Sequence, residues 1–98
     1  MLSLTKDNFD STLAKGKVLV DFYTDWCGHC RIVEPVIKEL STKYADSLIV
    51  GKVDADREPE IADRYGIRNY PTIVVFEAGK EVGRQIGAHP IEVFEKMI

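Results

Sequence analysis

The chain holds two cysteines, Cys27 and Cys30, with only Gly28 and His29 between them. Two thiols at this spacing can bond to each other or exchange a bond with a third sulfur, and the thiolate is the form that attacks. Their placement matters as much as their spacing. Val18 to Tyr23 is an apolar, β-rich run, and helical periodicity begins at Gly28, so the pair falls where a strand gives way to a helix. Helix N-terminal amides carry roughly half a positive charge, which favours a thiolate placed there. Cys27, nearer the tip, is the candidate nucleophile, and Cys30, one turn inward, the thiol that acts second. At pH 7 a free thiol of pKa ~8.5 is only about 3% ionised, whereas one lowered to ~7 is about half ionised, a difference of roughly 2 kcal/mol.

Two other uses of the pair compete with exchange. As a structural staple, a bridge closing so short a loop stabilises by only about 2 kcal/mol on the loop-entropy formula, the low end of what bridges supply. As a zinc site, the pair lacks partners: zinc wants four ligands, no second cysteine pair exists, and His89 is far along the chain. Redox exchange is the favoured use.

Asp21 is the second residue that calls for a reason. It is a lone acid inside Val18-Leu-Val-Asp-Phe22, and an acid in a buried strand is costly unless it is neutral, paired or hydrated. One reading makes it a general base with a pKa raised by burial, placed to take the proton of Cys30. The alternatives are a carboxylate turned to solvent at a sheet edge, or one paired with Lys52. His29, between the sulfurs, can add positive charge near Cys27 and hydrogen-bond its thiolate, or can be an exposed loop residue without effect. Asp25 is negative and opposes ionisation of Cys27. Trp26 and Tyr70 flank the cysteines and Pro71, which fits a substrate surface better than a core.

The elements that must position these groups follow from periodicity. Leu2 and Leu4 make a short apolar start, and Thr5 caps a helix of about two turns with Phe9 and Leu13 on its inner face, ended by Gly16. Val18 to Tyr23 is a buried strand. Gly28 to Tyr44 is a long helix with Ile32, Val36, Leu40 and Tyr44 four apart and Val33 and Ile37 on the same face, kinked by Pro35. Leu48 to Val53 is a second buried strand, so strand, helix and strand form a right-handed βαβ unit with parallel pairing. Pro59 starts a short helix through Tyr65, closed by Gly66. Thr72 to Glu77 and Lys80 to Ile86 form an antiparallel hairpin turning at Ala78-Gly79. Pro90 opens a last helix carrying Ile91, Phe94 and Ile98, with His89 in its N-terminal turn. The expected architecture is α/β, one domain over residues 1–98 with a central mixed sheet.

Composition narrows the function classes. Ninety-eight residues with 45% apolar and 30% charged side chains fit an ordinary globular domain of roughly 13 Å radius of gyration. Thirteen Lys and Arg against 16 Asp and Glu leave a net charge of -3, so no basic field exists to gather phosphates, and nucleic acid is not an expected partner. The start at Met1 has neither a basic n-region nor an apolar h-region, the longest apolar runs are strand-sized, and the final residues are no retention or lipidation signal. No membrane association and a cytoplasmic location are the expectations.

The segment Asp21-Phe22-Tyr23-Thr24-Asp25-Trp26-Cys27-Gly28-His29-Cys30, followed by Pro35, Tyr70-Pro71-Thr72 and Gly87, resembles the thioredoxin family over nearly the whole chain. The resemblance implies a thioredoxin fold with helices on both faces of the sheet. It implies that Cys27 attacks and Cys30 resolves, that Asp21 is the buried acid beneath Cys30 with Lys52 beside it, and that Pro71 is a cis-proline packed against the disulfide. Trp26, Gly28, Tyr70, Pro71 and Gly87 would form the surface that receives an extended client segment. One departure stands out: the family usually carries Pro where this chain has His29, and Cys-Gly-His-Cys is typical of protein disulfide isomerases. An imidazole that stabilises the reduced thiolate makes the pair more oxidising, and about 30 mV corresponds to 1.4 kcal/mol for this two-electron couple. The resemblance implies reduction of protein disulfides as the expected activity, with a disulfide oxidase or isomerase, suggested by His29, and a noncatalytic binding module as alternatives. The resemblance further implies a monomer that binds no cofactor and receives its electrons from NADPH through a thioredoxin reductase.

Overall fold

The computed structural model describes all of residues 1–98. The elements run β1 (Leu2–Ser3), α1 (Phe9–Leu13), β2 (Lys17–Tyr23), α2 (Gly28–Lys43), β3 (Ile49–Asp54), α3 (Pro59–Arg64), β4 (Thr72–Glu77), β5 (Lys80–Ile86) and α4 (Ile91–Glu95). The five strands form one sheet in the order β1-β3-β2-β4-β5. The expected βαβ unit is present: β2 and β3 pair in parallel, with Val20 opposite Gly51 and Asp21 opposite Lys52, and α2 makes the crossover. β4 runs antiparallel to β2 and to β5, so the sheet is mixed. The hairpin turns at Ala78 and Gly79, both at positive φ, the geometry whose twist suits a two-residue connection. The radius of gyration is 12.0 Å.

Alternation along β2 creates two cores. Val18, Val20 and Phe22 point to the face covered by α1 and α3, where Phe9, Leu13, Ile61 and Phe76 are buried with them. Leu19 points to the other face, under α2 and α4, with Val33, Ile37, Leu40, Ile73, Val75 and Phe94. Helices therefore lie on both faces, as the resemblance implies. Asp21, two residues on from Leu19, shares this second face.

Three local expectations are corrected. The first helix is five residues long and begins at Phe9. Thr5 still caps the turn before it: its Oγ1 accepts from the Asp7 amide at 3.2 Å, and Asn8 Oδ1 accepts from the Thr5 amide at 2.7 Å. Ile32 is not on the inner face of α2 but 65% exposed. Residues spaced strictly by four drift about 40° per step around a helix, so the row through Tyr44, Leu40 and Val36 has left the core by Ile32. The buried row is Cys30, Val33, Ile37 and Leu40. His89 precedes the last helix instead of opening it, since Pro90 is the N-cap of α4. The apolar start is an edge strand, β1, laid against β3. Gly51 makes that approach possible, because a Cβ there would lie 2.6 Å from Leu4 Cδ1 and 3.3 Å from the Leu2 carbonyl.

Candidate active site

Cys27 is the N-cap of α2, in extended conformation, so it stands at the point where β2 has ended and the helix dipole begins. Its Sγ accepts a hydrogen bond from the Cys30 amide at 3.1 Å. That amide is one of the helix's orphan donors, so the sulfur occupies the place an oxygen cap would take. Cys30 follows one turn into the helix and is joined to Cys27 in a disulfide, with the Cα atoms 5.3 Å apart. Both sulfur-bearing residues are buried, and no other cysteine exists in the chain.

Asp21 is 2% exposed. It opens into a cavity of about 230 Å³ lined by Tyr23, Thr24, Asp25, Cys30, Arg31, Glu34 and Lys52 as well as itself. A polar space of that size admits water, which needs only ~10–15 Å³ measured this way. Neither Asp21 Oδ1 nor Thr24 Oγ1 finds a partner within the protein. Burial raises the Asp21 carboxyl from 3.8 to about 7, the Lys52 charge opposing and the Glu34 charge adding to that rise. Desolvation dominates because the acid has no strong donor of its own. The reading of Asp21 as a solvent-facing edge residue is excluded, since β2 is the middle strand.

Lys52 is beside Asp21 in the sheet but is not its ion-pair partner. Its Nζ bonds Glu34 Oε1 at 3.0 Å and stands 4.5 Å from the Tyr23 ring centroid. Burial pulls the Lys52 ammonium down, but the Glu34 hydrogen bond and the nearby Glu34, Tyr23 and Asp21 charges more than offset this, and the net direction is up. The same hydrogen bond lowers Glu34.

Most of the remaining residues singled out in the sequence are linked to one another, starting from Trp26 next to Cys27. Trp26 is 70% exposed, stacks edge-on to Tyr70 at 6.3 Å, and donates from Nε1 to Asp56 Oδ2 at 3.0 Å. The Tyr70–Pro71 peptide is cis, and Pro71 is buried. Gly87 has φ +95° and its amide donates to the Pro71 carbonyl at 2.8 Å, tying the end of β5 to the start of β4. Gly28 and His29 lie exposed on the first turn of α2. In this oxidised state the bond to Cys27 Sγ comes from the Cys30 amide, and the His29 ring makes none within the chain.

This geometry coincides with a known family. The Thioredoxin family model matches residues 1–98. The chain belongs to the thioredoxin family. A thioredoxin of Alicyclobacillus acidocaldarius is 38% identical over 98 residues, covering 99% of this chain and 93% of its own. A thioredoxin of Chlamydia caviae is 40% identical over 84 residues, covering 86% and 81%. A thioredoxin of Pyropia yezoensis is 49% identical over 73 residues, covering 74% and 68%. With a Cys27–Cys30 disulfide at a helix N-terminus, this thioredoxin-family chain is a thiol-disulfide oxidoreductase, and as an enzyme it is a disulfide reductase. Neither the oxidase or isomerase reading drawn from His29 nor the noncatalytic one is favoured by these relatives. The reaction requires no bound cofactor, because the two sulfurs themselves carry the electrons. No helix is long and apolar enough to cross a membrane.

Sequence reasoning missed several residues of the site. Thr24 and Glu34 line the cavity, and Asp56 anchors Trp26. Glu34 was findable: it stands four residues after Cys30 on one helix, hence one turn above it. Asp56 carries no such signal, since it meets Trp26 only through the turn after β3.

Proposed function

We propose that residues 1–98 work as one thioredoxin-like unit in which Cys27 opens client disulfides and Cys30, deprotonated by Asp21, closes the cycle. The Cys27 thiolate attacks one sulfur of the client disulfide. The other client sulfur leaves as thiolate and takes a proton from solvent. Cys30 then gives its proton to Asp21 through the shared cavity and attacks Cys27 Sγ. The second client sulfur leaves as thiolate and is protonated from solvent, Asp21 returns its proton to solvent through the cavity, Cys27–Cys30 is oxidised, and the client has gained two electrons and two protons. The observation that carries this reading is the pairing of a sulfur N-cap on a 16-residue helix with a buried acid opening into the cavity that Cys30 lines.

Trp26, Gly28, Tyr70, Pro71 and Gly87 receive the client's extended segment. Support comes from the exposed Trp26 next to Cys27, its edge-on contact with Tyr70, and a cis Tyr70–Pro71 backbone held by the Gly87 to Pro71 bond. His29 adds charge near Cys27 when protonated, and Lys52 acts on Asp21 through the cavity. Each cycle leaves the protein oxidised, so a second partner must return two electrons. By family resemblance this is a thioredoxin reductase drawing on NADPH, with the protein a monomer in the reducing cytoplasm.

Trapping tests the order of attack. In Cys30→Ser, the first attack proceeds and the release does not, so clients accumulate as covalent adducts on Cys27 that a reductant dissolves. Cys27→Ser yields none. Equal adduct formation through Cys30 in Cys27→Ser would overturn the assignment.

A further inference from the structure

Asp21 and Lys52 are direct partners in the parallel β2–β3 register, so their side chains leave the sheet side by side on one face. A buried carboxylate beside a lysine ordinarily takes that ammonium as its partner. Here the ammonium goes elsewhere: Lys52 Nζ bonds Glu34 Oε1 at 3.0 Å, and Asp21 Oδ1 is left without a partner. Glu34 reaches this position from α2, where it follows Cys30 by one turn and lines the same cavity. The Tyr23 ring, 4.5 Å from the ammonium, steadies Lys52 from the other side. The remaining titratable groups around the cavity are Asp25, after β2, and Cys30 and Arg31 on α2, while β4 sets only Ile73 opposite Asp21.

We propose that Glu34 is a positioning residue for the resolving step: by drawing Lys52 into an ion pair at the cavity wall, it keeps Asp21 from being locked as a lysine-bound carboxylate and leaves it free to take and release the Cys30 proton. This rests on the reading of Asp21 as the base. The charges act in a consistent direction, since Lys52 lowers the Asp21 carboxyl and Glu34 raises it. Removing the Glu34 charge both frees the ammonium and deletes a repulsion, and each change favours the Asp21 carboxylate.

Glu34→Gln is the test, because Gln keeps the shape of a side chain that is 38% exposed. The Asp21 carboxyl is titrated by carbon NMR in the oxidised full chain, and the pH profile of the resolving step is measured against a disulfide-linked peptide. The Asp21 midpoint moves down by about one pH unit in Glu34→Gln and up in Lys52→Met. In the Lys52→Met background, Glu34→Gln moves it by less than half as much, because the route through the lysine is gone. A merely structural role for Glu34 would leave the midpoint in place. An unmoved or rising midpoint in Glu34→Gln overturns the coupling whatever the rates do, as does an equal shift in both backgrounds. A lowered midpoint with an unmoved rate profile leaves the coupling standing and overturns Asp21 as the base.

Discussion

The two faces of β2 are built by the same strand and differ in what they give up. On one, Val18, Val20 and Phe22 meet α1 and α3 in a continuous apolar core. On the other, Leu19 begins an equally apolar core under α2, but one step along the strand Asp21 replaces it with an acid and a cavity. The first face holds the sheet to its helices. The second gives up close packing at its cysteine end, and that end is where the disulfide sits. The strand thus separates stability from chemistry by side-chain alternation alone.

The contrast can be broken from either face. Phe22→Ala removes a ring that is completely buried in the apolar core, and unfolding free energy should fall by about 3–5 kcal/mol at every pH, measured by denaturant titration of the oxidised protein. A loss that varied strongly with pH would show that the two faces are not separable. Asp21→Asn should have the opposite sign. The folded carboxyl titrates near 7 and the unfolded one near 3.8, so between those values the folded state holds more protons, and stability falls as pH rises through that window. The Asn variant lacks this slope. Its advantage over the parent should be absent near pH 4 and reach up to about 4 kcal/mol by pH 8, the value of roughly three pKa units. A variant no more stable than the parent at pH 8 would mean that Asp21 is not held in a desolvated site.

Much of this architecture was legible because it follows from period and punctuation. The βαβ unit is announced by the change from strand to helix periodicity at Cys27 and back at Leu48, and the hairpin by Ala78-Gly79. The position of Asp21 was legible too, as an acid out of place in an apolar strand. Residues hidden in the sequence are those whose roles come from register. Nothing local says that Lys52 faces Asp21, or that Glu34 intercepts it, until β3 is aligned with β2 and α2 is laid across both. Gly51 is of the same kind: it matters because β1 passes over it, and β1 is only two residues long. Ile32 was misplaced because strict four-residue spacing outruns the helical turn, which leaves its apolar side chain on the exposed face of α2.

The exchange chemistry depends on the ionisation of Cys27. Reducing the protein and following thiolate ultraviolet absorbance against pH, with Cys30→Ser to isolate the first sulfur, measures it directly. A helix N-cap position and the Cys30 amide as donor to the sulfur predict a midpoint below the ~8.5 of a free thiol. A midpoint at or above that of free cysteine would contradict it, because the sulfur would then lack the charge with which to attack.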